Sequence, residues 1–328
     1  MSKNRISLPR AAARAASSIV LASAVFAVPA LARSAGWPQC RSADPDARIA
    51  GCSQVIGSIA SEPRHNQIAA FFNRAGAYQA KGDHDRAIED FGKALELDPQ
   101  SALILCGRAL AHRAKGDFAR AFGDYDAAIA AQPGNALAYY GRGGAHQAKG
   151  DLDKAIADYD RAIVLDKRYC AAYLARAAAW KAKGDLDKAV ADLGEAAKYE
   201  TSAAPLVSRG AIFQAKGDYE RAAADFSEAA KREPKNVMAR CNRGLAMQGK
   251  GDYDRAIAAF DEALKLDPKH YQAFVGRAGA LRGKKDYARA KADYEAALAI
   301  KPDLASAQKG LEEVTKLLAR NGGAAAGR

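Results

Sequence analysis

The histidines are the first residues to test for chemistry, because two of them recur in register. His112 and His146 stand 34 residues apart, in a slot that equivalent segments fill with large apolar or aromatic residues. Those residues are Tyr78, Trp180, Phe213, Met247 and Leu281. Equivalent slots of neighbouring segments lie about a helix diameter apart, roughly 10 Å, whereas Zn–N bonds are about 2 Å long. No Cys or carboxylate joins the pair. We therefore interpret both histidines as packing residues and expect no metal.

The cysteines are the second candidates, and the sequence contains five of them. Cys40 and Cys52 are close enough to form a disulfide, which would clamp the incoming strand onto the first helix and contribute about 3 kcal/mol. The alternative is two buried thiols. Cys106, Cys170 and Cys241 fall in different repeats, too far apart for a disulfide to span. We interpret these three as core or groove thiols.

Catalytic motifs are absent from the sequence. There is no GxSxG, HExxH or CxxC pattern and no phosphate-binding glycine loop. The composition, with 49% hydrophobic and 27% charged residues, excludes a disordered chain and a multi-spanning membrane protein. The sequence favours a protein without catalytic activity and without a cofactor.

The first 32 residues are interpreted as a secretory signal peptide. Four basic residues and no acid precede an apolar run (15–32), which ends in small residues suited to cleavage after Ala32. The alternative is a retained membrane anchor. The full sequence has a formal charge of +12, and the chain stays basic after cleavage. We expect a periplasmic protein with no further membrane span, in a compartment where a disulfide persists.

A Lys-Gly-Asp tripeptide recurs along the chain and defines its organisation. Its glycines are Gly82, Gly116, Gly150, Gly184, Gly217 and Gly251, and Lys285 takes the glycine position in a seventh copy. The period is 34 residues, with one step of 33. Periods of this size are typical of stacked repeats.

Each copy has the pattern of two helices around the glycine turn. Ala stands five and twelve residues after the glycine position, with a large apolar residue between, so all three share one helical face. The large residues are Phe91, Tyr125, Tyr159, Leu193, Phe226, Phe260 and Tyr294. A small residue stands seven positions before the glycine, and five copies end in proline.

This pattern resembles the tetratricopeptide repeat (TPR) family, and we expect an exported bacterial member. The resemblance implies an all-α fold, a right-handed α-solenoid of seven helix hairpins. The repeats are placed at 68–101, 102–135, 136–169, 170–202, 203–236, 237–270 and 271–304. Arg240 departs from the pattern, because its slot is otherwise large and apolar. The residue missing between repeats four and five predicts an altered helix crossing near 201–204.

Segments outside the repeats are predicted to cap the array. Residues 33–67 carry a helix that resembles a solitary second half of a repeat, with Asp44 as N-cap and Pro45 in the first turn. Residues 305–320 are predicted to form a capping helix, and 321–328 a disordered tail.

A ladder of charge pairs is also predicted. Arg precedes the small residue in every copy, and Asp stands eight residues after the glycine position in six of the seven copies, with Ala259 as the exception. Both lie on the same side of the buried stripe of their helices. We expect Arg–Asp pairs between the two helices of each repeat.

The resemblance implies that one face of the first helices, formed by positions five, nine and twelve of each repeat, lines a partner-binding groove. The candidate residues are Phe72, Gln79, Arg113, Tyr140, Gln147, Leu174, Lys181, Val207, Gln214, Gln248, Val275 and Arg282. Apolar residues at position five and acid-free donors at position twelve suit a peptide with apolar anchors and favour acidic partners. The alternative is that position five only packs against the neighbouring helix.

The sequence therefore predicts a non-catalytic scaffold for protein–protein interaction, and a homo-oligomer is compatible with it. A second hypothesis is a cell-envelope structural or assembly factor at an anionic peptidoglycan or membrane surface. Nucleic acid is disfavoured, because basic and acidic residues are interleaved in every repeat. Family members that grip chaperone C-termini use Lys and Asn where this chain has Phe72 and Gly76, so that specificity is not implied.

Overall fold

The computed structural model describes residues 35–325, with side chains to residue 320, and this range contains seventeen α-helices and no β-strand. The helices are α1 (Trp37–Cys40), α2 (Pro45–Gly57), α3 (Arg64–Ala80), α4 (His84–Leu97), α5 (Ala102–Ala114), α6 (Phe118–Ala131), α7 (Ala136–Lys149), α8 (Leu152–Leu165), α9 (Cys170–Lys183), α10 (Leu186–Tyr199), α11 (Ala204–Ala215), α12 (Tyr219–Arg232), α13 (Val237–Gly249), α14 (Tyr253–Leu266), α15 (Tyr271–Gly283), α16 (Tyr287–Ile300) and α17 (Ala305–Ala325). The predicted signal peptide, 1–32, lies outside the described residues.

Two compact units make up the chain, one ending at Lys183 and one beginning at Gly184. In unit 1 the hairpins α3–α4, α5–α6 and α7–α8 pack one after another, and α9 packs on α8. In unit 2 α10 packs on α11, and the hairpins α11–α12, α13–α14 and α15–α16 are followed by α17. Each unit is a solenoid of stacked hairpins, which confirms the predicted fold class.

The aspartate after each turn begins the second helix of its hairpin. The side chains of Asp83, Asp117, Asp185, Asp218, Asp252 and Asp286 each accept a hydrogen bond from the backbone N–H three residues further on. Such N-caps typically stabilise a helix by about 1 kcal/mol. The Lys-Gly-Asp repeat therefore sets where the second helices start.

The turn residue itself adopts a left-handed backbone conformation in all seven hairpins. The six turn glycines have φ between 78° and 89°, and Lys285, at the same place in repeat seven, has φ 65°. Glycine adopts this conformation without steric cost, whereas a residue with a Cβ is strained in it. Repeat seven therefore carries local strain that the other turns avoid.

Replacing Lys285 by glycine is expected to raise the free energy of unfolding by about 1 kcal/mol, because the strain is removed. Urea denaturation followed by circular dichroism measures the change. Gly116→Lys is the matched reverse substitution, in a turn where an added Cβ meets no other atom within 4 Å. It should lower stability by a similar amount, and two variants as stable as the wild type would contradict the strain argument.

Large side chains from the second helices fill the core of both units. Phe91, Tyr125, Tyr159, Leu193, Phe226, Phe260 and Tyr294 are all buried. Glycines on the following first helix make room for them, since a Cβ on Gly141 would clash with the ring of Tyr125. Gly310 of α17 meets the ring of Tyr294 in the same way. The capping helix thus packs like an additional first helix.

Helix α2 occupies the position that the second helix of a hairpin has in the complete repeats. Asp44 accepts a hydrogen bond of 2.8 Å from the backbone N–H three residues later, as predicted for an N-cap. Lys81, in the first turn, forms an ion pair with Asp46. The pair of Lys115 with Asp85 is its equivalent one repeat later. The half-repeat therefore continues the charge pattern of the complete repeats.

The predicted disulfide between Cys40 and Cys52 is present, with Cα atoms 4.4 Å apart and both residues fully buried. It tethers α1, a single helical turn, rather than the strand that we expected, because Pro38 is suited to the first turn of a helix. Trp37 Nε1, on the same turn, donates a hydrogen bond of 3.1 Å to Glu62 Oε1. Residues 35–62, here called the N-terminal cap, are thus tied at two points.

Two boundaries differ from those expected. The first repeat helix, α3, begins at Arg64, four residues before the placed start of repeat one. The last helix continues to Ala325, although 321–328 was expected to be disordered.

The joint between repeats four and five is held by side chains of α12 and its C-terminal end. Arg232 Nη1 donates a hydrogen bond of 2.8 Å to the carbonyl of Glu200, and Glu233 accepts one of 2.8 Å from the backbone N–H of Ala203. The helix that follows the joint, α11, has only 12 residues. The altered crossing near 201–204 stays a prediction.

Candidate functional site

Arg–Asp pairs hold the first helix of a repeat against the second, which confirms the predicted ladder. Each Arg donates hydrogen bonds of 2.6–3.0 Å from Nε and Nη2 to the two carboxylate oxygens of the Asp sixteen residues later. The pairs are Arg74–Asp90, Arg108–Asp124, Arg142–Asp158, Arg209–Asp225 and Arg277–Asp293. These aspartates are 2–8% exposed. Hydrogen bonding to the carboxylate raises the pKa of each Arg.

Some of these guanidinium groups also reach the preceding second helix through Nη1, over 2.5–3.0 Å. The contacts are Arg74–Ser53, Arg142–Asp126 and Arg277–Asp261. Each of these guanidinium groups thus links its own first helix to the second helix of the same repeat and to the preceding second helix. The ladder therefore positions successive first helices, and with them the candidate binding face.

Repeat six departs from the ladder, as Ala259 led us to expect. Arg243 Nη2 contacts Glu262 Oε2 at 2.7 Å, and Arg240 Nε lies 3.5 Å from the same oxygen. No described residue accepts a hydrogen bond from the buried Nε of Arg243. Arg240 thus uses a slot that is otherwise apolar to bring a second guanidinium to one carboxylate.

The candidate face of unit 1 lies on α3, α5, α7 and α9, which pack side by side. At position five, Tyr140 and Leu174 are half-buried. The ring of Tyr140 lies between two other rings, with its centroid 5.9 Å from that of Tyr159 and 5.1 Å from that of Tyr169. Tyr140 and Tyr169 are half-buried, whereas Tyr159 is only 1% exposed. The rings of Tyr140 and Tyr169 therefore form the aromatic surface that a partner can reach.

Phe72, also at position five, corrects the sequence prediction. It is only 2% exposed, and its ring packs edge-on against Phe91 with centroids 5.7 Å apart. Ile49 of α2 packs against the same core. Phe72 is therefore a core residue beside the half-repeat, and its ring is not available to a partner.

The position-twelve donors of unit 1 border the aromatic surface. Gln147 accepts a hydrogen bond of 2.6 Å from the hydroxyl of Tyr159. Arg113 lies over Gly144 of the next repeat, where a Cβ would clash with its guanidinium. Lys181 is exposed. Burial raises the pKa of Tyr159, so its hydroxyl stays a neutral donor at physiological pH.

Two other glutamines lack the tyrosine that Gln147 uses. Gln79 and Gln248 belong to repeats that have Phe91 and Phe260 at the place of Tyr159. No described residue donates a hydrogen bond to Oε1 of either glutamine. Among these three glutamines, only Gln147 accepts a hydrogen bond from a tyrosine hydroxyl.

On the candidate face of unit 2, one of the basic side chains is paired with a carboxylate. Val207, Gln214 and Val275 are half-buried, and Gln248 Nε2 lies 2.8 Å from the place of a Cβ on Gly279. Arg282 is exposed and forms an ion pair with Glu313 of α17. The acid-free rim expected from the sequence therefore does not hold at this end.

Sequence reasoning missed two residues of these faces. Tyr169 stands at the last position of repeat three, where Asn135 and Asn236 are N-caps in other copies, and that departure was a usable signal. Glu313 belongs to the capping helix, outside the repeat pattern. Leu245, at position nine of the predicted face, is 40% exposed.

Two cysteines outside the disulfide, Cys106 and Cys241, and two histidines, His112 and His146, are packing residues. Burial raises the pKa of Cys106 to about 12 and that of Cys241 to about 11, so little thiolate is available as a nucleophile. The ring of His146 lies 4.5 Å from that of Phe122. Burial lowers the pKa of His146 and of His112.

Within the described residues, no three potential metal-ligating side chains come together. None of the helices between residues 35 and 325 combines the length and the apolar character needed to cross a bilayer.

The fold and the face define a class of protein, one built of stacked helix hairpins that presents one side of its first helices. Two family models, both described as tetratricopeptide repeat, match the sequence. One covers residues 68–101, and the other covers 106–169, 209–247 and 248–305. Together they span more than half of the chain, which belongs to the tetratricopeptide repeat family. We find no match among curated proteins.

Solved structures show the same fold at low sequence identity. The C-terminal part of a TPR protein from Cytophaga hutchinsonii has a TM-score of 0.61 and 19% identity, over 72% of this chain and 98% of that one. Yeast Tom70 has a TM-score of 0.56 and 17% identity, over 93% and 70%. YrrB, described as a TPR protein with an unusual peptide-binding site, has a TM-score of 0.51 and 21% identity, over 57% and 97%.

Proposed function

We propose that the protein is a non-catalytic scaffold that binds a peptide segment of a partner protein on the first-helix face of unit 1. The observation that carries the proposal is the half-buried pair Tyr140 and Leu174 bordered by the donors Arg113, Gln147 and Lys181. Positions five, nine and twelve of this unit contain no carboxylate. Apolar anchors of a peptide would pack on the rings, and its main-chain carbonyls or acidic side chains would accept hydrogen bonds from the border.

A peptide ligand is also supported by the relation to YrrB, whose description includes a peptide-binding site. In the present protein the rings around Tyr140 are held by their own contacts, 5.1 and 5.9 Å away. A binding surface that is ordered in advance loses less conformational entropy when a ligand docks. This favours a defined peptide sequence over non-specific association.

We further propose that the protein acts in the periplasm. The proposal rests on the basic and apolar pattern of residues 1–32 and on the buried disulfide of the N-terminal cap. Disulfides persist in exported proteins and are rare in the reducing cytosol.

The double variant Tyr140→Ala/Leu174→Ala is expected to bind peptides at least about tenfold more weakly than the wild type, because aromatic and apolar anchors carry most of the energy of such an interface. The ligands are peptides selected from a phage-displayed library against the purified full chain, and fluorescence anisotropy gives their Kd. Circular dichroism checks that the variant keeps its helical content.

Val164→Ala is the matched control for this experiment. Val164 is 63% exposed and lies on α8, a second helix, so its removal should leave the Kd unchanged. Selected peptides that bind the double variant as tightly as the wild type would rule out this face. Loss of the helical signal in the double variant would instead show that both residues serve packing.

A further inference from the structure

Repeat six holds an unbalanced cluster of charges away from the candidate binding residues. Arg240 and Arg243 of α13 share a single carboxylate, that of Glu262 on α14, whose side chain is 47% exposed. The guanidinium side chains are 15% and 17% exposed. In five other repeats a buried Asp supplies two oxygens to the equivalent of Arg243, and here that position is Ala259. Two cations thus face one anion in a largely buried place.

No other described carboxylate restores the balance. On the preceding second helix, the position that holds Asp126 or Asp261 in other repeats is Ser227. The Ser227 hydroxyl donates a hydrogen bond of 2.7 Å to the carbonyl of Ala223. On α14, Asp261 is already bound to Arg277 at 2.5 Å. Neither neighbouring helix therefore supplies a second carboxylate to balance the charges of Arg240 and Arg243.

The Nε atom of Arg243 marks the place of the missing carboxylate. In the five complete pairs, Nε donates a hydrogen bond of 2.6–3.0 Å to the Asp. In repeat six the same atom is buried and no described residue accepts from it. A buried charged donor without an acceptor is costly. Because Ala259 differs from Asp by one carboxylate group, the matching ligand is an anion of about that size.

We propose that repeat six binds a halide ion, chloride in particular, between the Nε of Arg243 and the methyl group of Ala259. The anion takes the place of the aspartate carboxylate and completes the ladder of unit 2. An anion is favoured over water because the surroundings carry a net positive charge, and the Nε of Arg243 and the methyl group of Ala259 are themselves buried. The site is independent of the proposed peptide-binding function, and it makes the stability of unit 2 depend on halide.

The test compares the Tm of the full chain in sodium chloride and in sodium gluconate at equal ionic strength, so that screening is the same. Gluconate is much larger than a single carboxylate group and cannot take its place. The wild type is expected to melt about 2 °C higher in chloride at a concentration tenfold above Kd. Ala259→Asp supplies the carboxylate internally and should remove the difference. The same chloride effect in wild type and Ala259→Asp would overturn the proposal.

Asp225→Ala in repeat five is the matched gain-of-site variant. It opens the same place beside Arg209, whose Nε and Nη2 both bind Asp225. We expect this variant to have a lower Tm than the wild type. Its Tm should also rise more than that of the wild type when gluconate is replaced by chloride.

A measurement that does not depend on stability is the line width of the chloride NMR signal. The wild-type protein should broaden the chloride signal, and bromide should reverse the broadening by competing for the site. The Ala259→Asp variant should leave the line width unchanged. Should that variant not fold, Arg243→Gln replaces it in this measurement. A line width that the wild type leaves unchanged, or that both proteins broaden equally, would exclude the site.

Discussion

Replacing Asp124 by alanine is expected to lower the free energy of unfolding by about 2–3 kcal/mol. Asp124 is 8% exposed and accepts hydrogen bonds from Nε and Nη2 of Arg108 at 2.9 and 2.7 Å. Its removal leaves a guanidinium without its carboxylate. Breaking a fully buried pair costs about 3–5 kcal/mol, and the 29% exposure of the Arg108 side chain reduces that cost because water can reach it. Urea denaturation followed by circular dichroism gives the difference.

Asp126 provides the matched control two residues further along α6. It also binds a guanidinium, that of Arg142 at 2.6 Å, but its side chain is 60% exposed. Exposed pairs contribute little, so Asp126→Ala is expected to cost about 0.5 kcal/mol or less. Equal losses in the two variants would show that burial does not determine the strength of the ladder.

The ladder itself was predictable because its members recur at fixed places in a strict period. Every copy has the Arg, and six of the seven have an Asp sixteen residues later, so a contact between helices is visible as a regular pattern in the sequence. The same reason applies to the turn glycines and to the aspartate N-caps. Each of them is a local requirement of the backbone, repeated often enough that chance is excluded.

The partner of Arg243 was not predictable in this way. Once Ala259 removes the regular carboxylate, the outcome depends on which neighbouring side chain is long enough to reach the guanidinium. Glu262 does so, and Arg240 reaches the same carboxylate from a slot that the family fills with an apolar residue. A single departure from the period therefore changes the pairing of two other residues, and only the packed structure shows how.

Accessibility on the candidate face was the other property that the period did not determine. Phe72 and Tyr140 share one repeat position, yet Phe72 is buried, as is Cys106 at the same position of repeat two. Arg282 is paired because the capping helix brings Glu313 to it. Periodicity predicts which residues share a face, whereas the packing around each of them decides which are exposed and which charges are paired.

The N-terminal cap is therefore a structural element whose stability can be measured separately from that of the repeats. The double variant Cys40→Ala/Cys52→Ala is expected to lose about 3 kcal/mol of cap stability, since the crosslink closes a loop between residues 12 apart in sequence. Trp37, 3% exposed in the cap, reports on it by fluorescence. The chain has two tryptophans, so Trp180→Phe isolates the signal, in a slot where Phe213 occurs naturally.

The expected result is a cap that opens before the repeats do. Each repeat of a solenoid contacts only its neighbours, so in the double variant the fluorescence of Trp37 should change at lower urea than the circular dichroism of the remaining helices. Cys170→Ala, outside the disulfide, should leave both transitions in place. Coincident transitions in the double variant would mean that the hydrogen bond from Trp37 to Glu62 and the packing of α2 hold the cap without the crosslink. A separated transition would show that the cap is complete only under conditions in which the disulfide forms.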